Sequence, residues 1–308
     1  MGVSTTIEAQ LSHGEADVGG GIRLHYVEAG EGPLVVLLHG FPEFWYSWRH
    51  QIAPLAQAGY RVVAPDMRGY GLSDKPQAWR SYETGLLADD IAGLVRSLGT
   101  LEGTPDVGAQ ASEQSAIVVG HDWGAAVAYT MAMRHPDLVR RLAILNVPHP
   151  VRMLEGFKTL RQLRKSWYMF FFQIPRLPEH LIAREDYSFA KRSLRADSKD
   201  AFTDEDLERY VEAWSQPGAL TGMINYYRAA LRRSPGKTLG LMKPIEAPTL
   251  VIWGMLDRHI GSELAEPPHE WVPNVRVERI ADATHWVQHD APERVNELLL
   301  GFFDGTRP

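Results

Sequence analysis

The sequence predicts an α/β protein: a doubly wound, mostly parallel sheet with an all-helical segment inserted in it. Three observations point there. Several apolar runs are unbroken Val, Ile and Leu rather than alternating, as expected of parallel strands covered on both faces. Helical patterns fall between those runs, the order that lays strands side by side through crossover helices. From about Pro148 to Lys243 the alternation stops, and Arg, Lys and aromatic residues crowd helical segments with no convincing strand.

In chain order, strands are expected at Ile22 to Glu28, Leu34 to Leu38, Arg61 to Pro65, Ala116 to Gly120, Leu142 to Asn146, Thr249 to Gly254 and Val275 to Ile280. Helices are expected at Trp45 to Gln57, Tyr82 to Leu98, Ala125 to His135 and Pro292 to Phe303, and inside the insert at Asp204 to Trp214 and Leu220 to Arg232. The core domain is therefore read as residues 1–147 and 244–308, and the helical cap as 148–243. The stretch from Thr100 to Ser115 is polar and Gly-rich and reads as a surface excursion. No internal repeat is visible.

Composition narrows the chemistry. With 308 residues, 44% hydrophobic and 23% charged, the chain can bury a substantial core, as one large α/β domain or two small ones. A net charge of −6 weighs against nucleic acid and against an anionic membrane as partner. Zero cysteines exclude disulfides and thiol catalysis and fit a reducing compartment, so the cytoplasm is the expected location. No apolar stretch approaches the roughly 18 residues that span a bilayer, and the start MGVSTTIEAQ lacks the charged and apolar regions of a signal peptide. Gly2 and Thr6 fit a loose myristoylation pattern, but no basic cluster accompanies it.

The most informative stretch is Ile117 to His135, IVVGHDWGAAVAYTMAMRH, where an apolar β-branched run meets Gly120, His121, Asp122, Trp123 and Gly124 and then turns into a helical pattern. This reads as a nucleophile elbow, a strained strand-to-helix turn whose flanking glycines let the backbones pack closely. An aspartate at the tip is ionised at neutral pH and needs no base to activate it. It attacks alkyl carbon better than acyl carbon, so the expected intermediate is an alkyl ester of the enzyme. The dipole of the following helix favours the anion. Asp between glycines is also ordinary turn chemistry, and only the setting between strand and helix gives the motif weight.

At this point the chain resembles the epoxide hydrolases of the α/β-hydrolase fold, from about Gly20 to Phe303. The resemblance rests on HGFPEFWYSW at His39 to Trp48, DMRGYGLS at Asp66 to Ser73, GHDWG, LNVPHP at Leu145 to Pro150, the run WYMFFFQ, and His285-Trp286. It implies a doubly wound, mostly parallel sheet with an inserted helical cap, and hydrolysis of an epoxide to a vicinal diol. A fold supports many chemistries, so the site must carry the argument.

A covalent aspartyl ester must be hydrolysed by water, and a base working near pH 7 is most often histidine. His285 follows the last strand and precedes the last helix, the place that the order nucleophile, acid, histidine gives the base. His289, one turn on, reads as a surface residue. Asp257 ends the run TLVIWGMLD at the carboxyl edge of the sheet and suits the acid that orients the histidine. LNVPHP offers no acidic alternative, and His149 there reads as a hinge or pocket-rim residue. Backbone N–H groups of Trp123, next to the nucleophile, and of Phe41, in His39-Gly40-Phe41-Pro42, are placed to face a developing oxyanion. By resemblance, two cap tyrosines donate to the departing epoxide oxygen and map onto Tyr168 and Tyr227, with Tyr226 and Tyr187 as rivals. Phe41, Trp123, Phe172 and Trp286 are expected to wall an apolar pocket. Ile174-Pro175-Arg176 departs from the Pro-Gly turn more usual in the family.

This reading needs no cofactor and no metal, and its partners are a small hydrophobic epoxide and water. The nearest rival is a haloalkane dehalogenase, which shares the aspartyl ester but holds halide with a Trp and an Asn where this chain has Phe41. Fluoroacetate dehalogenases carry arginines after the nucleophile, where this chain has Trp123 and Ala125. A serine esterase lacks its serine here. A catalytically silent receptor of the same fold would have no need to keep Asp122, Asp257 and His285 together.

Overall fold

The computed structural model describes residues 11–99, 115–233, 236, 239–240 and 242–305. The first ten residues and the expected excursion after residue 99 lie outside these, except Ser115. Eight strands form one sheet in the order β1-β2-β4-β3-β5-β6-β7-β8. They are β1 Ser12–Asp17, β2 Arg23–Ala29, β3 Leu34–Leu38, β4 Arg61–Pro65, β5 Ala116–His121, β6 Val139–Leu145, β7 Thr249–Gly254 and β8 Val275–Ile280. The pairs β1–β2 and β2–β4 are antiparallel, and every other pair is parallel. β5 and β7 are buried at all six positions each, which is why they read as unbroken apolar runs.

The sequence reading misses β1. Its residues SHGEAD are mostly exposed, and it is held at the sheet edge by main-chain pairing with β2, from Ser12 opposite Glu28 to Asp17 opposite Arg23. An edge strand bonded on one side needs no apolar face to declare it.

The core helices are α1 Ile52–Gln57, α2 Thr84–Gly99 and α3 Trp123–Arg134, with α10 Val287–Asp290 and α11 Pro292–Phe303 near the end. The helix expected from Trp45 to Gln57 is broken. Trp45–Trp48 forms a 3-10 turn in which all four residues are buried, a consecutive burial that one helical stripe does not provide. The strand expected to end at Asn146 ends at Leu145, because Asn146 turns to a φ of 51°.

Between β6 and β7 the described chain forms helices only: α4 Pro150–Gly156, α5 Leu160–Lys165, α6 Trp167–Phe171, α7 Leu177–Asp197, α8 Asp204–Trp214 and α9 Ala219–Arg232. α8 starts with a capping box in which Thr203 and Asp206 satisfy each other's backbone N–H. α7 is two arms, broken where Glu185, Asp186 and Tyr187 take positive φ near 50°. In Ile174-Pro175-Arg176, Arg176 itself takes a left-handed φ of 64°, so a conformation that glycine adopts freely is kept by an arginine. Among the described residues no helix is long and apolar enough to cross a membrane.

Candidate active site

β5 runs into a turn at Asp122, whose φ of 47° and ψ of −122° lie outside the helical and extended regions, and α3 begins at the next residue. Holding an L-residue there is costly and persists only because its surroundings fix it. The glycines are what allow the approach. A Cβ on Gly120 would sit 2.5 Å from the Gly124 carbonyl oxygen, and one on Gly124 would overlap the Leu38 carbonyl.

Asp122 Oδ1 accepts the Phe41 N–H at 2.7 Å, and Oδ2 lies 3.5 Å from His285 Nε2. Burial alone would raise this carboxyl, but His285, His121 and the Phe41 N–H hold it below its usual value. His285 Nδ1 lies 2.7 Å from Asp257 Oδ2. Asp257 is locked on all sides: Oδ1 accepts the N–H groups of His259 and Ile260 at 2.7 and 2.8 Å, and Oδ2 accepts the Asn146 amide at 2.9 Å. Burial would raise the Asp257 carboxyl too, yet facing His285 and these donors keep it well below the carboxylate range. Burial also works against a charged His285 ring, and the two carboxylates overcome it and raise the ring above ordinary imidazole. The order of these contacts makes Asp257 the group that fixes which His285 nitrogen faces Asp122.

Two cavities meet at Asp122. The larger, about 520 Å³, is lined by Phe41, Phe172, Trp286 and His285 among others, and the smaller, about 230 Å³, by Trp123, Val147, Met153 and Phe157. Tyr168 and Tyr227 line both. Their rings sit 5.7 Å apart, nearly perpendicular, and each packs on Phe172. Burial and the Asp122 charge raise both phenols, so both are protonated donors at neutral pH. The rivals point elsewhere. Tyr226 donates its hydroxyl to the Arg68 carbonyl at 2.7 Å, and Tyr187 packs on Trp214 and lines neither cavity.

The structure overturns the surface reading of His289 and the pocket-rim reading of His149. His289 is buried rather than superficial, with Nε2 2.7 Å from Glu43 Oε1 and Nδ1 3.0 Å from Arg49. A buried carboxylate must be matched, and His289 is one of the groups that match Glu43. His149 is fully buried and lines neither cavity; it caps α4 through Val151, and burial pushes its ring down to about 4.

The sequence reading also leaves out residues that the structure brings to the site. Glu43 accepts from Tyr210 on α8 at 3.0 Å and lies 3.0 Å from His121, so cap and elbow share one buried carboxylate. A lone acid inside the aromatic run HGFPEFWYSW is the signal that could have singled it out. From the cap, Lys165 donates to the carbonyls of Asp257 and Ile260, at 2.7 and 3.3 Å, and Gln162 bonds the His259 carbonyl and the Gly261 N–H. α5 thus clamps the loop that carries Asp257. No sequence period could have revealed contacts made across a hundred residues. Among the described residues no group of three or more His, Asp or Glu is placed to hold a metal ion.

Residues 33–292 match the model of the alpha/beta hydrolase fold family. The chain is 43% identical over 292 residues to the AB hydrolase superfamily protein YfhM of Bacillus subtilis, covering 92% of this chain and 94% of that one. It is 39% identical to mouse epoxide hydrolase 4 over 92% of this chain and 76% of the relative. Among solved structures, a mutant epoxide hydrolase of Bacillus megaterium complexed with its product (R)-3-[1]naphthyloxy-propane-1,2-diol is similar with a TM-score of 0.82 and 32% identity, over 94% of this chain and all of that one. Epoxide hydrolase A of Mycobacterium thermoresistibile aligns with a TM-score of 0.81 and 31% identity, over 96% and 99%.

Proposed function

The chain belongs to the α/β-hydrolase fold family and within it to the epoxide hydrolases, and from that premise we propose that it opens hydrophobic epoxides to vicinal diols through a covalent ester of Asp122. The observation that carries this reading is the meeting of one ionised carboxylate, a carboxylate-held histidine and two protonated phenols at the junction of two cavities. Asp122 attacks a ring carbon, the ring C–O bond breaks, and its electron pair goes to the oxygen that Tyr168 and Tyr227 protonate or hydrogen-bond.

Ester formation cancels the Asp122 charge and with it one of the two carboxylates that keep His285 protonated, which lowers the ring toward the neutral form a base needs. His285 Nε2 then takes a proton from water, and the hydroxide attacks the ester carbonyl. The Phe41 N–H, already 2.7 Å from Asp122 Oδ1, and the Trp123 N–H at the start of α3 receive the oxyanion. On collapse the ester C–O bond breaks, the leaving alcohol oxygen takes the proton held by His285, and any proton a phenol gave up is restored from the Asp122 carboxyl, which releases the diol and leaves Asp122 ionised with one oxygen from water.

Phe41, Phe172, Trp123 and Trp286 favour an apolar substituent, and the naphthyloxy product held by the Bacillus megaterium relative supports an aryl group. We assign residues 148–243 to the cap and the remainder to the catalytic domain, and place the enzyme in the cytoplasm on the strength of zero cysteines. A dehalogenase is disfavoured because two phenols face the site where a halide asks for N–H donors. The test is a single turnover in oxygen-18 water. Label should appear in the Asp122 carboxylate while the diol carries none, and label entering the diol directly would overturn the covalent route.

A further inference from the structure

The mouth of the larger cavity opens in a cap face that is apolar and basic together. Trp167 and Phe189 line that cavity yet are 60% and 55% exposed. Phe170, Ile174, Leu177 and Leu181 along the same stretch are exposed as well. Six large exposed apolar side chains within 23 residues, two of them lining the cavity, differ from the scattered ones that any surface carries.

Basic residues interleave with them. Arg164 lines the larger cavity together with Trp167, Arg184 stands at the break of α7 three positions after Leu181, and Arg192 stands three after Phe189 within the second arm of α7, the spacing of neighbours on a helix face. Arg164, Arg176, Arg184 and Arg192 are exposed, and among the described residues none of them forms an ion pair. From Lys158 to Lys199 ten Lys and Arg meet four Asp and Glu, in a chain whose net charge is −6. The whole-chain balance therefore hides a locally cationic stretch.

We propose that this cap face docks on an anionic bilayer, with the mouth of the larger cavity turned to the lipid. Headgroup phosphates answer the unpaired arginines, and the interfacial layer takes Trp167, Phe170 and Phe189. A second copy of the chain suits the face poorly, because a two-fold contact would set those arginines against one another. An acidic protein would answer the charge but would stopper the cavity. A bilayer leaves it open to apolar molecules dissolved in the lipid; that they are the epoxides turned over rests on the function proposed above, whereas the docking does not.

The test is co-sedimentation of the full chain with vesicles of phosphatidylglycerol and phosphatidylcholine in equal parts, against phosphatidylcholine alone. Binding to the anionic vesicles should be about tenfold tighter or more, and should weaken as salt rises. The double variants Arg176→Glu/Arg184→Glu and Phe170→Ser/Leu181→Ser, at positions lining neither cavity, should each lose about tenfold in vesicle binding. Both should turn over a water-soluble epoxide at the wild-type rate without vesicles. Absent binding, binding that both variants retain, or a wild-type dimer in sedimentation velocity that Phe170→Ser/Leu181→Ser splits would each overturn the proposal. Binding is read without substrate, so a protein that docks but turns over no epoxide refutes the enzymatic reading and leaves the docking supported.

Discussion

His121 Nε2 donates to the main-chain carbonyl of His285 at 2.9 Å, so the residue before Asp122 holds the loop that carries His285. The other His121 nitrogen lies 3.0 Å from Glu43 Oε2, and Glu43 Oε1 in turn meets His289 at 2.7 Å and Tyr210 at 3.0 Å. The 3.5 Å between His285 and Asp122 is therefore set from beneath, by a buried carboxylate shared among the elbow, the loop after β3, the histidine loop and the cap.

That carboxylate links stability to pH. Burial alone would raise Glu43, but His289 and His121 hold it well below its ordinary value of 4.5. Near that ordinary value the unfolded chain binds a proton that the folded one does not, so the stabilisation is complete above it and fades as the pH falls toward the depressed folded value. Glu43→Gln should cost about 3 kcal/mol at pH 7, as loss of one partner of a buried ionic group does. Urea melts should show the gap between wild type and variant narrowing from pH 6 to pH 4. A gap that is constant with pH would mean that Glu43 is not held ionised by the fold.

The second prediction separates the half-reactions. His285→Gln removes the base and leaves Asp122, Tyr168 and Tyr227 in place, so one equivalent of epoxide should alkylate the protein and stay. Intact-mass spectrometry should show the protein heavier by the mass of the epoxide. Steady turnover by this variant near the wild-type rate would remove His285 from the role, and buried, Glu43-bound His289 could not take its place.

What the sequence discloses here follows from range. β3, β4, β7, β8 and α11 begin and end where the apolar pattern places them, because their burial is a local property of consecutive residues. That Asp122, Asp257 and His285 come together is legible because each follows within a few residues of the carboxyl end of a strand, β5, β7 or β8. β1 is not legible because main-chain pairing alone carries it, and the Trp45–Trp48 turn is not because burial there has no period. His289 was misread for a related reason: its partner Glu43 is far away in the chain, and only the fold reveals that a carboxylate lies beneath it.

The third prediction concerns the close approach at the elbow. A methyl on Gly124 meets main chain, the Leu38 carbonyl, which cannot rotate aside, whereas one on Gly85 has nothing nearer than 3.7 Å, the Arg134 guanidinium. Gly124→Ala should cost about 1–3 kcal/mol, visible as a lower thermal midpoint. Gly85→Ala, within α2, should be neutral or gain up to about 1 kcal/mol. Equal midpoints for the two variants would mean that helix and strand can separate without penalty.

The last prediction tests the cap phenols, whose donors distinguish epoxide opening from other aspartyl-ester chemistry. Two hydroxyls on one oxygen share the developing charge, so Tyr168→Phe or Tyr227→Phe should each slow alkylation by a factor on the order of 10 to 1000, as loss of one oxyanion donor does, and removing both should cost far more. Ester hydrolysis should change little, because in the proposed mechanism its charge develops against the Phe41 and Trp123 N–H groups and not against the phenols. Tyr226 supplies the control: its hydroxyl is spent on the Arg68 carbonyl, so Tyr226→Phe should lose stability, by about 1 kcal/mol, and not alkylation rate. Rapid-quench kinetics resolves the two steps. Native alkylation by the Tyr168→Phe/Tyr227→Phe double variant would reduce these rings to packing and leave the leaving oxygen without its donors.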